Sequence, residues 1–217
     1  MNTITYYTDA SYSPPEKFAV IGYMCVRNEE DENLNPKDLK INFEIIENTT
    51  NTEAEIIGII SVLKSIKKGK DSEKSHTIYT DCESVLGRIK KKNQLIQKNF
   101  KTKTNKDLNN SSLYKELFEL IEGKEDLYTF HHIDGHITKK LIINTANEKH
   151  HLRFSEVDKK VRKILRKEIK ENPTKGVKKT VKRKLEKNQN ESRLSKRIAT
   201  FLILIFLIFS IIIKFIL

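Results

Sequence analysis

Two cysteines, Cys25 and Cys82, are all that the 217-residue sequence contains. Their spacing suits neither a disulfide framework nor a zinc clip, so a reducing compartment is expected. The opening residues, Met1-Asn2-Thr3-Ile4-Thr5, supply neither a basic n-region nor an apolar h-region. No signal peptide is therefore expected. Without export, the glycosylation-type tripeptides at Asn48, Asn110 and Asn190 are read as chance matches. The length allows one ordinary core and little more.

Charge is plentiful but uneven. Residues 1–158 hold 23 basic and 25 acidic side chains, whereas residues 159–197 hold 17 and 4. A nearly neutral body is followed by a cationic stretch, which points to a polyanion or an anionic membrane surface as partner. Residues 198–217 are apolar except for Lys214, and Arg193, Lys196 and Arg197 stand before them. Twenty helical residues span about 30 Å, the thickness of a bilayer's hydrocarbon core. Lys214 lies near the end, where its stem can snorkel to the headgroups. The expectation is a single-pass transmembrane tail anchor inserted after synthesis, with the N-terminal bulk on the cytosolic side. The expected division is a domain over 1–170, a basic linker over 171–197 and the anchor over 198–217.

Hydrophobic patterning orders the rest. Thr3–Asp9 alternates as a strand does; Phe18–Val26 and Leu39–Glu47 complete an antiparallel meander around an acidic loop, Asn28–Pro36. Thr52 is the expected cap of a helix from Glu53 to about Lys67. A short strand, Thr77–Thr80, precedes a helix over Glu83–Lys91. Residues 97–112 read as a loop, Leu113–Ile121 as a helix and Leu127–Ile133 as a strand. Residues 134–152 read as irregular, and a last helix carries Phe154, Val157, Val161, Ile164, Leu165 and Ile169 before Pro173. The order βββαβα(α)βα implies an α/β layer structure with a mixed sheet flanked by helices.

Four acids occupy informative places in that order. Asp9 lies in Tyr7-Thr8-Asp9-Ala10-Ser11 and Asp81 follows Ile78-Tyr79-Thr80, both expected at strand ends. Glu55 and Asp158 are expected near the starts of their helices, facing the same rim. Carboxylates gathered from distant segments suit Mg²⁺, a hard cation that prefers oxygen. Two such ions can activate a water and stabilise the leaving oxygen of an in-line displacement, so the chain reads as a metal-dependent enzyme acting on phosphates. Four crowded carboxylates repel one another unless cations neutralise them, which otherwise raises their pKa values. His131, His132, His150 and His151 have neither a nearby cysteine nor helical i, i+4 placement, so zinc is not expected. They read as a basic, phosphate-facing loop.

The segments Tyr7-Thr8-Asp9-Ala10-Ser11, Thr52-Glu53-Ala54-Glu55-Ile56-Ile57 and Tyr79-Thr80-Asp81-Cys82-Glu83 resemble the ribonuclease H family. So do Gly135-His136 and the later Val157-Asp158-Lys159-Lys160-Val161-Arg162. The resemblance covers about residues 3–168. It implies a ribonuclease-H-like five-stranded mixed sheet and cleavage of the RNA strand of RNA–DNA hybrids by two Mg²⁺ ions, for which Mn²⁺ can substitute. Asp9, Glu55, Asp81 and Asp158 resemble the four catalytic, metal-holding carboxylates, and His136 resembles a mobile histidine that assists product release. Three departures stand out. Ala10 replaces a glycine common in the family, His136 is farther than usual from Asp158, and no aspartate follows Asn147-Glu148 at the usual offset. Glu53 competes with Glu55, and the apolar run after Glu55 favours the latter.

Lys90, Lys91, Lys92, Lys98, Lys101, Lys103 and Lys106 gather where some ribonucleases H carry a basic protrusion. Such lysines neutralise phosphates without choosing sequence. Ala10, Ser11 and Asn51 lie where the family contacts 2′-hydroxyls, the groups that mark RNA. An RNA–DNA hybrid and a membrane are thus the expected partners, and no obligate protein partner is inferred. Two other readings compete: a structure-selective DNA endonuclease of the junction-resolvase type, and a catalytically weak, membrane-tethered nucleic-acid-binding protein.

Overall fold

Alternation of apolar and polar residues along three N-terminal segments produces a meander of β1 (Ile4–Ser13), β2 (Phe18–Val26) and β3 (Ile41–Glu47). The computed structural model describes residues 3–27, 29–135 and 147–172. Residues Met1–Lys170 form one compact unit, and a second begins at Glu171. Two further strands, β4 (His76–Thr80) and β5 (Tyr128–His132), run parallel to β1, giving the order β3-β2-β1-β4-β5. The short helix α1 (Glu29–Asn33) lies within the acidic loop, where Asp31 Oδ2 accepts from Arg27 N at 2.8 Å.

Helix α2 (Asn51–Lys68) begins with a capping box rather than at the expected Thr52. Thr50 Oγ1 accepts from Glu53 N at 3.3 Å, and Glu53 Oε2 accepts from Thr50 N at 2.8 Å. Two otherwise orphaned donors are satisfied, an arrangement whose cap alone contributes about 0.5–2 kcal/mol. One stripe of α2 (Ile56, Ile59, Ile60, Leu63 and Ile66) is buried against Ile4, Tyr6 and Ile78 of the sheet. Each such side chain contributes about 1.5–3 kcal/mol on burial. Helix α5 (Ser111–Ile121) adds Tyr114, Leu117, Phe118 and Ile121 to the same layer.

Between β4 and α5 the chain forms α3 (Glu83–Ile89) and a separate α4 (Lys92–Gln97). The lysine-rich stretch after it, expected as a plain loop, contains a bridge between Lys101 and Asp107. Helix α6 (Glu148–Glu171) covers the opposite face of the sheet. Its Phe154 and Val157 meet Tyr7 and Met24, and its Val161 and Leu165 meet Phe18 and Val20. It starts within the segment read as irregular, because three histidines and several polar residues hide its amphipathic period. Among the described residues no helix is long and apolar enough to cross a membrane. The segment 198–217 and most of the basic linker lie outside the described residues.

Candidate active site

The central strand outruns its parallel neighbour. Pairing of β1 with β4 ends at Tyr7–Tyr79, while pairing with β2 continues to Ser13–Phe18. Asp9 is therefore not the end of its strand, as expected, but the point where one neighbour has stopped. That break opens a crevice beside the carboxyl end of β4, where ligands commonly bind in α/β sheets.

Asp9 is 5% exposed and lies directly opposite Gly22 of β2. Asp81 follows β4 in a tight turn in which Thr80 Oγ1 accepts from Cys82 N at 3.2 Å. The Asp81 carbonyl oxygen is 3.2 Å from Nε2 of His132. Gly135 lies so close to Asp81 that a Cβ there would collide with its carboxylate. Glu55, the fifth residue of α2, turns its buried carboxyl into the same crevice. One ligand oxygen from each of Asp9, Glu55 and Asp81 falls within 4.8 Å of the others. Glu53 does not join them, because its carboxylate is committed to the cap.

Asp9 and Glu55 hold their protons tightly. Burial, then Asp81 and Asp158, raise the pKa of Asp9 well above the ordinary carboxylate range; the Ala10 amide and Arg162 oppose this. Burial, then Asp9 and Asp81, push Glu55 up to about 9. Three hard oxygen donors that repel one another at such range fit a divalent cation. Asp158 lies outside this tight trio and is bonded to Arg162 Nε at 2.5 Å. It sits in the third turn of α6 rather than the first. It still adjoins the site electrostatically, since its charge acts on Asp9. His136 lies outside the described residues.

An aromatic row supports the trio from one register step below. Tyr7 stacks on Tyr79 at 5.3 Å, Tyr79 on His131 at 5.3 Å, and His150 of α6 on Tyr79 at 4.6 Å. One histidine of each sequence pair, His131 and His150, thus packs against tyrosine rings.

The expected nucleic-acid contacts scatter. Ala10 packs towards Ala54 on the α2 side of the sheet; Ser11 is half-buried and Asn51 exposed. Lys90, Lys91 and Lys92 line a groove with Tyr128 and Phe130, and Lys92 is bonded to Glu125 at 2.5 Å. Lys101 is bonded to Asp107 at 2.6 Å, whereas Lys98 and Lys103 are exposed.

A polar cavity of about 440 Å³ went unread in the sequence. Thr50 and Thr52 line it from the start of α2, Ser84 and Arg88 from α3, and Asn110 from the start of α5. An arginine, hydroxyls and two helix N-termini make a seat for an anion. Its signal is faint, since the contributing residues are spread over sixty positions. Asn110 takes the left-handed conformation, at φ 61°, that asparagine tolerates where α5 begins.

The five-stranded mixed sheet and its carboxylate crevice define a ribonuclease-H-like α/β fold. The sequence matches the model of the RNase H family over residues 1–150, and the chain belongs to that family. It is an enzyme of the ribonuclease H class. The fold is similar to that of the Prototype Foamy Virus protease-reverse transcriptase, at 22% identity and a TM-score of 0.52. That likeness covers 72% of this chain and 20% of the viral one, so the chain spans about a fifth of the viral protein. A second similar structure is LC11-RNase H1 in complex with RNA/DNA hybrid. It has 17% identity and a TM-score of 0.44, covering 60% of this chain and 85% of that one. No curated protein matches the sequence.

Proposed function

We propose that the chain hydrolyses the RNA strand of RNA–DNA hybrids with two divalent cations, Mg²⁺ by preference, while tethered to a membrane. The approach of the Asp9, Glu55 and Asp81 oxygens to within 4.8 Å of one another carries this reading. Bound there, divalent cations supply Lewis acidity, a nucleophile at neutral pH and charge for the leaving oxygen. Asp9, Glu55 and Asp81 would hold these ions, with Asp158 beside them completing the set. The raised pKa values of Asp9 and Glu55 mean that loading a cation would expel protons. His136 takes the role of assisting product release.

The substrate backbone is gripped away from the chemistry. Arg88, Thr52 and Asn110 seat one phosphate in the polar cavity, which sets register without reading sequence. Asn51, exposed at the start of α2, faces the sugars, whose 2′-hydroxyls separate RNA from DNA, and the exposed lysines Lys90, Lys91, Lys98 and Lys103 add charge. Residues 198–217 cross the bilayer once, with the nuclease on the cytosolic side, and the preceding lysines rest on anionic headgroups.

The purified full chain, given labelled hybrid with Mg²⁺ or with EDTA, tests the chemistry. DNA duplex, RNA duplex and a four-way DNA junction serve as controls. Metal-dependent cutting confined to the RNA strand of the hybrid is expected. Cutting of the junction alone would replace this reading with a resolvase, and binding without cutting would leave a tether. Flotation with anionic vesicles tests the membrane part: the full chain should float, and a chain lacking 198–217 should not.

A further inference from the structure

We propose that Gly22 is a positioning residue for catalysis: the absence of a side chain there seats α6 on the sheet level with Asp9, so that Asp158 reaches the carboxylate crevice. The proposal deepens the reading of that site and rests on it.

Residues directly opposed in an antiparallel pair project to the same face. Gly22 opposes Asp9, so a side chain at 22 would stand beside the Asp9 carboxylate, under α6. A Cβ built there would lie 2.5 Å from Val161 Cγ1, 3.4 Å from the Asn42 carbonyl oxygen and 3.7 Å from Ile41 Cγ2. Real Cβ atoms essentially never lie within 3.0 Å of a neighbour, so Val161 would have to withdraw. It has nowhere to go alone, because it is fully buried with Phe18, Val20 and Leu165. The helix itself must lift.

Asp158 shares that stretch of helix. It precedes Val161 by three residues, so the two are neighbours on the helix surface. Val157, beside Asp158, rests on the cluster around Tyr7, and Val161 rests over Gly22. The helix is thus seated on both sides of Asp158, level with Asp9 at Val161 and one register step away at Val157. Arg162, bonded to Asp158 at 2.5 Å, holds the carboxylate from the following turn. Lifting α6 at Val161 carries Asp158 and Arg162 away together.

The test uses the full chain as parent, Gly22→Ala, Val161→Ala and the double variant, with Asp158→Asn as reference. Mn²⁺ binding is followed by calorimetry without nucleic acid, kcat and KM on the hybrid with Mg²⁺, and melting by circular dichroism. In Gly22→Ala, Mn²⁺ binding should weaken as it does in Asp158→Asn. The kcat should fall on the order of 100-fold, as misplacement of about 1 Å can cause, with KM within about twofold. Removing the Val161 methyls makes room for the new one, so the double variant should regain the metal isotherm and the kcat of Val161→Ala. A Gly22→Ala chain that binds Mn²⁺ and turns over like the parent would overturn the proposal. So would a double variant that regains its melting temperature but not its isotherm. Should Gly22→Ala fail to fold, the double variant decides alone. If the parent cuts no hybrid yet the isotherms shift as described, Gly22 keeps its positioning role and the activity reading falls.

Discussion

The phenol of Tyr7 hydrogen-bonds Nδ1 of His150 at 2.7 Å, tying the central strand to the first turn of α6. Arg153, one turn farther along that helix, is buried and donates through Nη2 to the carbonyl oxygen of Glu32 at 2.9 Å. Burial pushes the Tyr7 phenol up to about 12, so it remains a neutral hydroxyl throughout the working range. The Tyr7→Phe variant leaves His150 Nδ1 without this partner. It should lose about 1–2 kcal/mol in urea unfolding, with kcat falling more than KM rises, because α6 carries Asp158.

Stability without metal should depend on pH in an unusual direction. Glu55 is an acid whose folded pKa, about 9, exceeds its ordinary 4.5, and Asp9 is shifted the same way. Above pH 4.5 the unfolded chain has released the Glu55 proton that the folded chain keeps. This contribution is complete at low pH and is lost as pH rises towards 9, at about 1.4 kcal/mol per unit for each group. Burial lowers the pKa of His76 and of His150 below 6.5, so their contribution is lost as pH falls below that value. In EDTA, urea unfolding should show stability falling from pH 6.5 to 9 and flattening below 6.5. Mg²⁺ should remove the alkaline fall. Glu55→Gln in EDTA at pH 8 should be more stable than the parent by on the order of a few kcal/mol.

Asp9→Asn keeps the shape and removes the charge at the centre of the trio. Cleavage of hybrid should fall below detection. Hybrid binding, measured by fluorescence anisotropy, should remain within a few-fold, because phosphate contacts supply most of the affinity.

Arg88→Ala should act on binding rather than on chemistry. KM for hybrid should rise several-fold with kcat nearly unchanged, and the slope of log affinity against log salt should fall by about one. An unchanged salt slope would remove the polar cavity from the substrate path.

The strands and the amphipathic helix α2 were legible because one buried face writes a period of two or 3.6 into the sequence. Asp9, Glu55 and Asp81 were legible for a related reason: each adjoins a strongly patterned element. Glu53 shows the limit of pattern alone, since only the geometry of the Thr50 cap reveals why it is absent from the crevice. The start of α6 was hidden by His150 and His151, polar residues whose rings or neighbours are half-buried by tertiary contacts that no local pattern encodes. The run of β1 beyond Asp9 was masked by Ser11 and Ser13, which pair with β2 although their composition suggests a turn. The seats at Gly22 and Gly135 were illegible altogether, because what matters there is an atom that is missing opposite a distant partner.

The aromatic row and Asp9 lie on the face of β1 that α6 covers, and α6 is the last described element of the fold. On a ribosome the strand emerges first and the helix more than 130 residues later. At about 5–20 residues per second that interval lasts on the order of ten seconds. Throughout it the buried face of β1 has no cover, and the nuclease lacks one wall of its own crevice. The carboxylate crevice is therefore the last part of the fold to be completed, when α6 docks on β1.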